Sequence, residues 1–296
     1  MIQNVAKGVI SARFVSVSML QRVLYTLFYG NLWIATAAAA TTWQTTVVLQ
    51  LEPNPTLLVF VFLATLFTYN LDRYTERLAF ADSYQTRHRW LHEHRRELAI
   101  FTVLPGIAWV ALSFRLSTNV VLWLLHLGVV SVAYSLPLWK KADGERFVLR
   151  KVGLLKPVFV AYVWAVVGVL LPVVDAGYPF NGRLYAELLS RFVFVLALCM
   201  PFDLRDEPID RSHGMRTLPV LLGRKPTEYL AYLLLLLQLA LLIPVLPPLR
   251  LMVLALSLVY AAWATRYAIK SGHDLAFSAG VDGALVLQAL LLTLGG

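Results

Sequence analysis

The chain has 296 residues, 59% of them hydrophobic and only 15% charged, with a mean hydropathy of +0.68. These proportions lie far outside soluble averages and exclude an ordinary water-soluble globule, so the bilayer is its solvent. The net charge of +9 needs no nucleic acid to explain it, because basic loops beside anionic headgroups are the ordinary arrangement, and the single cysteine, Cys199, excludes both disulfides and a thiolate metal site.

The first 20 residues interleave Lys7 and Arg13 with polar positions and lack the apolar core of a secretory signal. The segment before Arg22 reads as lying on the membrane surface. Nine apolar runs follow, at 23–40, 56–71, 98–112, 120–136, 157–174, 184–202, 229–246, 249–269 and 281–294, each near the ~20 residues a spanning helix needs. Pro247-Pro248 is the sharpest turn signal between them. No linker or low-complexity segment divides the chain, so residues 1–296 read as a single multi-pass helical domain. Two long basic loops, 73–97 and 203–228, each follow an even-numbered span four helices apart, which hints at a duplicated architecture.

The cations set the orientation, because cytoplasmic loops retain Lys and Arg. With the N-terminus inside, all of the 26 Lys and Arg except Arg115, Arg183, Arg191 and Arg250 fall on the cytoplasmic side. So uneven a split supports an odd number of spans. It also puts both basic loops at the cytoplasmic face.

The second of these loops opens with Asp203-Leu204-Arg205-Asp206-Glu207-Pro208-Ile209-Asp210. Asp203, Asp206 and Asp210 are spaced to share one face of a helix. Such a face suits Mg2+, which takes one or two carboxylates and completes its shell with substrate phosphates. Pro208 is expected to end or kink the helix. The plainer alternative is a solvated loop in which Asp206 and Asp210 pair with Arg205, Arg211 or Arg216. Against it stand the position of the cluster at the end of a span and a second carboxylate pair, Asp72 and Glu76, at the end of another. His88 and His92 have the i, i+4 spacing of metal ligands, but they lie among Arg87, Arg89, Arg95 and Arg96 and read as a surface helix over the cytoplasmic mouth.

In these residues the chain resembles the UbiA superfamily of intramembrane prenyltransferases. Asp206 and Asp210 stand as its second acidic motif, followed by Gly214, Thr217-Leu218-Pro219 and Gly223, and Tyr134-Ser135-Leu136-Pro137 with Lys140 and Lys141 is similar to its segment after helix 4. The first motif departs from the pattern: with the Asp-Arg step on Asp72-Arg73, Thr68 and Tyr69 stand where Asn and Asp belong, and Glu76 replaces the last Asp.

The resemblance implies a nine-helix bundle whose central cavity opens to cytoplasmic cap loops. It implies Mg2+ as cofactor, held by Asp72, Glu76, Asp206 and Asp210 with Asp203 assisting, and catalysis through Asp72, Asp206 and Asp210. Arg22, Arg73, Lys140, Lys156 and Arg216 are the diphosphate-binding candidates. Phe67, Tyr69, Asn70, Tyr134, Trp164 and Phe194 are the cavity candidates. The implied partners are a polyprenyl diphosphate, an aromatic or lipid-like acceptor and membrane lipid. Three activities remain open on this reading: prenyl transfer, terpene cyclisation after the same ionisation, and non-catalytic binding of an isoprenoid lipid or a membrane protein.

Overall fold

A computed structural model describes residues 19–79, 90, 93–135, 139–140, 146–147, 149 and 152–295; for 74–79, 135, 139–140 and 146–147 it describes the backbone alone. Apart from an antiparallel ribbon of β1 (Trp139–Lys140) and β2 (Arg146–Phe147), the regular structure among the described residues is helical. In chain order the helices are α1 (Met19–Tyr29), α2 (Leu32–Leu49), α3 (Pro55–Ala79), α4 (Arg95–Ser113) and α5 (Thr118–Ser135). Next, α6 (Leu155–Ala165) passes through a π-helical segment, Val166–Leu170, into α7 (Leu171–Asp175). The chain continues with α8 (Gly182–Ser212), the short α9 (Leu218–Leu222), α10 (Arg224–Leu242) and α11 (Pro248–Ser271), then a second π segment, Ala276–Val281, and α12 (Gly283–Leu294).

Among the described residues, 7 helical stretches are long and apolar enough to cross a membrane; α1 and α2 together form a further candidate bent by 56°, and α5 is apolar over a shorter length. Each apolar run of the sequence falls on one of these stretches. Their outward faces carry Ile107, Val129, Leu236 and Val259, all more than half exposed, a surface that suits lipid and not water. The chain is an integral, multi-pass membrane protein.

The packing closes a ring. α2 lies against the first π segment, α6 against α8, α8 against α10, α10 against α11, α11 against α12, and α12 returns to α2. α3 packs beside α2 with α4 beyond it, and α5 lies against α7. α2 can sit among so many neighbours because its buried positions are small: Ala35, Ala37, Ala38, Thr41, Thr42 and Thr45. The threonine hydroxyls return to carbonyls of their own helix, Thr41 and Thr42 to Ala38 at 2.9 Å and Thr45 to Thr41 at 3.3 Å. A buried amide contact joins three more spans, with Gln288 donating to Gln238 and to Ser257 at 3.3 Å.

Helix irregularities are answered by side chains. The bend between α1 and α2 falls at Gly30 and Asn31; a β-carbon on Gly30 would collide with the Thr26 carbonyl oxygen, and Asn31 takes a left-handed φ of 59°. Pro105 lies inside α4, so the Phe101 carbonyl loses its helical donor. Asn70 of α3 supplies one, its Nδ2 donating to Phe101 O at 3.1 Å while its Oδ1 accepts from Asn31 Nδ2 at 2.8 Å. Pro208 lies inside α8 and frees the Leu204 carbonyl in the same way, and Arg224 Nη1 donates to that oxygen at 2.9 Å. Of the two expectations for Pro208, an ended or a kinked helix, the first is therefore corrected. α8 continues to Ser212 because another helix satisfies the carbonyl that the proline leaves bare.

Candidate functional site

Continuity of α8 through Pro208 decides the geometry of the acidic run. Asp203, Asp206 and Asp210 share one face of a single helix. Asp203 is only 5% exposed and its Oδ2 has no hydrogen-bond partner. Asp206 receives the Arg205 guanidinium, Nε at 2.8 Å from Oδ1 and Nη2 at 3.3 Å from Oδ2. That guanidinium rests on two aromatic faces, 5.3 Å from the Phe202 centroid and 5.1 Å from that of Phe277. Glu207 takes a different set of partners, accepting from Arg211 at 2.9 Å and from Arg224 at 2.7 Å. The solvated-loop alternative is thus half realised: Asp206 pairs with Arg205, while Arg211 turns to Glu207.

Among the expected cations whose side chains are described, Lys156 at the start of α6 is brought into electrostatic reach of both Asp203 and Asp210. A close backbone approach sets this up. A β-carbon on Gly153 would lie 2.8 Å from Arg216 backbone atoms and 2.7 Å from Thr217 Cγ2, so glycine lets the segment before α6 press against the turn after α8. The Thr217 hydroxyl is buried there outside hydrogen-bonding geometry, yet near enough to Asp210 to act on it. Arg216 and Arg22 are exposed. Lys140 lies on β1 and Glu76 on α3, and both side chains fall outside the described residues, as do His88 and His92.

The first acidic motif approaches the second by way of a residue that motif reading overlooked. Asp72 is exposed at the end of the apolar stretch of α3, about two turns before the helix itself ends, and Arg73 is half-buried. Asp282, just before α12, lies in electrostatic reach of both Arg73 and Arg205. Asp282 thus ties α3 and α8 electrostatically to the start of α12. The available signal was a lone acidic residue inside an apolar run.

The cavity candidates separate into two groups. Trp164 Nε1 donates to the Tyr69 hydroxyl at 3.2 Å, linking α6 to α3 one turn before Asp72. Tyr134 stacks on Phe159 with centroids 4.2 Å apart. Phe67 instead stacks on Trp109 at 5.4 Å over Gly106, Phe194 is fully buried in the main core, and Asn70 caps Phe101. These three are committed to helix packing.

A second charged cluster on α8 was missed as a pair. Glu187 and Arg191, each 1% exposed, lie 3.2 Å apart, and Arg191 Nη1 donates to Gln44 of α2 at 3.0 Å. The i, i+4 spacing was visible in the sequence, but Gln44 is distant along the chain.

Among the described residues no three Asp, Glu, His or Cys side chains converge on one point. A closed cage is not what Mg2+ requires, since it accepts one or two carboxylates and fills its shell with water and substrate oxygens. Asp203, with a buried oxygen lacking a donor, and the aligned Asp206 and Asp210 fit that partial donor set.

No family model matches the chain, and no curated protein matches it in sequence. Among the solved structures that share its fold are two with high coverage of both chains. One concerns a digeranylgeranylglyceryl phosphate synthase in membranes, at 14% identity and a TM-score of 0.56, covering 94% of this chain and 99% of that one. The other is the apo structure of a UbiA homologue from Aeropyrum pernix K1, also at 14% identity and a TM-score of 0.56, covering 88% of this chain and 96% of that one. Both belong to the UbiA superfamily, so the resemblance read from the acidic motifs extends to the fold of nearly the whole chain.

Proposed function

We propose that the chain is an intramembrane prenyltransferase that ionises a polyprenyl diphosphate and transfers the prenyl group to an aromatic or lipid-like acceptor. The observation that supports this best is the acidic face of α8, where Asp203 has a buried oxygen without a donor and Lys156 lies in electrostatic reach of both Asp203 and Asp210. In this proposal the site lies on the cytoplasmic side and opens into a cavity within a bundle of nine spans.

Mg2+ would be held by Asp206 and Asp210 with Asp203 and, across the site, by Asp72 and Glu76; bound there, it supplies positive charge to the departing diphosphate. Lys156, Arg73 and Arg216 bind the diphosphate oxygens, with Arg22 and Lys140 closing the site from its rim. The allylic C–O bond breaks and its electron pair leaves on diphosphate, so fixed cations aimed at those oxygens lower the barrier. Arg205 bridges Asp206 and the field of Asp282 and positions the acidic face. The Tyr69–Trp164 pair presents aromatic faces to the allyl cation, and the apolar ring excludes water until the acceptor attacks and loses a proton.

The test is diphosphate release by the purified protein with Mg2+, an allylic diphosphate and candidate acceptors. Asp206→Ala and Asp210→Ala should each lower it by at least about a hundredfold. Undiminished release in either variant overturns the assignment. Release without any acceptor, together with a cyclic hydrocarbon, turns the reading to a cyclase.

A further inference from the structure

One polar pair lies where the bilayer meets protein with hydrocarbon. His126 is exposed on α5, and its Nε2 is 2.6 Å from the hydroxyl of Tyr162 on α6. Helix α5 has 18 residues, about 27 Å at the helical rise, and His126 lies about 12 Å along it, near the middle of a hydrocarbon layer of about 30 Å. An ionisable side chain at that depth is costly and marks function more often than not.

The pair borders an open groove of about 430 Å3 lined by Leu122, Trp123, Val166 and Leu170 among others, a volume within the range of small-molecule sites. Val166 and Leu170 bound the π-helical segment after α6, an irregularity frequent at functional sites. Trp123 meets the His126 ring edge-on with centroids 5.5 Å apart, so three aromatic side chains bound the space. A second hollow of about 320 Å3 shares Leu122 and Trp123 and continues to Tyr178 and Phe180.

Hydrogen-bond arithmetic restricts the occupant. If Tyr162 donates to Nε2, His126 keeps an Nδ1–H donor and Tyr162 an acceptor lone pair; if Nε2–H donates, Tyr162 keeps its O–H and His126 an acceptor nitrogen. Either tautomer leaves one donor and one acceptor. Among the described residues neither side chain makes a second side-chain hydrogen bond. A plain hydrocarbon would leave both unsatisfied. A phospholipid keeps its carbonyls and headgroup at the interface, about 15 Å from mid-membrane.

We propose that this groove binds a neutral lipid whose flat ring bears a carbonyl or hydroxyl, a quinone or quinol, with the ring oxygen on the His126–Tyr162 pair and the tail along the groove. Leu188 of α8 lines the groove, about 22 Å along that helix from Asp203. The site is therefore separate from the acidic face, and the proposal stands or falls independently of the transferase reading.

The experiment is equilibrium binding of a prenyl-tailed benzoquinone to the full chain in phospholipid nanodiscs, with thermal stability measured alongside. Wild type should bind saturably. Tyr162→Phe and His126→Phe should each bind about tenfold more weakly with an unchanged melting temperature, and Asp206→Ala should bind as wild type does. No saturable binding by wild type, unchanged affinity in both groove variants, equal competition by a branched hydrocarbon without the ring, or an equal loss in Asp206→Ala would each overturn the proposal.

Discussion

Helix α8 carries two charged clusters whose centres are about 26 Å apart, and they are built to opposite ends. At Glu187 and Arg191 the charges balance one to one, both side chains are 1% exposed, and Gln44 of α2 takes another guanidinium hydrogen. At Asp203, Asp206 and Asp210 the cations facing three carboxylates among the described residues are Arg205, whose pair with Asp206 is 21% and 31% exposed, and Lys156, which acts on Asp203 and Asp210 through its field. An orphaned oxygen does not distinguish them, because Glu187 Oε2 lacks a partner just as Asp203 Oδ2 does. Charge balance and access do. The first cluster is closed and locks α8 to α2; the second is open, with an excess of negative charge that a cationic ligand can neutralise.

The comparison breaks most visibly at Arg191. Arg191→Met leaves Glu187 as a buried, uncompensated charge, which should cost about 3–5 kcal/mol of stability. The readout is thermal unfolding in detergent. Replacing both partners, Glu187→Leu with Arg191→Met, should recover much of the loss, since an apolar pair has no charge to desolvate. A stable single variant that has lost only diphosphate release would reverse the roles given to the two clusters.

Lys156→Ala tests the open end. This side chain is exposed and in electrostatic reach of Asp203 and Asp210, so its removal should hardly change unfolding. Under the proposed reaction it should raise KM for the diphosphate substrate about tenfold, the effect of one charge-assisted hydrogen bond. An unchanged KM would leave Arg73 and Arg216 to bind the substrate.

The same contrast explains what could be read from the chain alone. Span positions were legible because lipid demands long apolar runs, and the acidic face was legible because i, i+3 and i, i+7 spacing survives wherever the helix is continuous. Whether it was continuous depended on Arg224 reaching the Leu204 carbonyl from a different helix. Local pattern carries no trace of that contact. Asn70 shows the same limit: its place beside Asp72 suggested the cavity, whereas Pro105 on α4 determines its role by freeing the Phe101 carbonyl. Asp282 drew no notice because it has no motif around it, and its importance comes from Arg73 and Arg205 converging on it.

Glu207 gives the smallest and most discriminating test, because it lies inside the acidic run yet behaves like the closed cluster. Its carboxylate bridges Arg211 and Arg224, whose side chains are 61% and 50% exposed. The Glu207 side chain itself is 11% exposed; pairs open to solvent on the arginine side contribute about 1 kcal/mol each at most, so Glu207→Gln, which keeps one acceptor oxygen, should lower stability by about 1 kcal/mol. Arg224 would still reach the Leu204 carbonyl, so α8 should remain continuous through Pro208 and the three aspartates aligned. Diphosphate release by Glu207→Gln should therefore match wild type. A large loss of release with intact stability would mean that the net charge of the run matters more than the face on which each carboxylate lies, and the distinction between the open and closed clusters would have to be redrawn around charge alone.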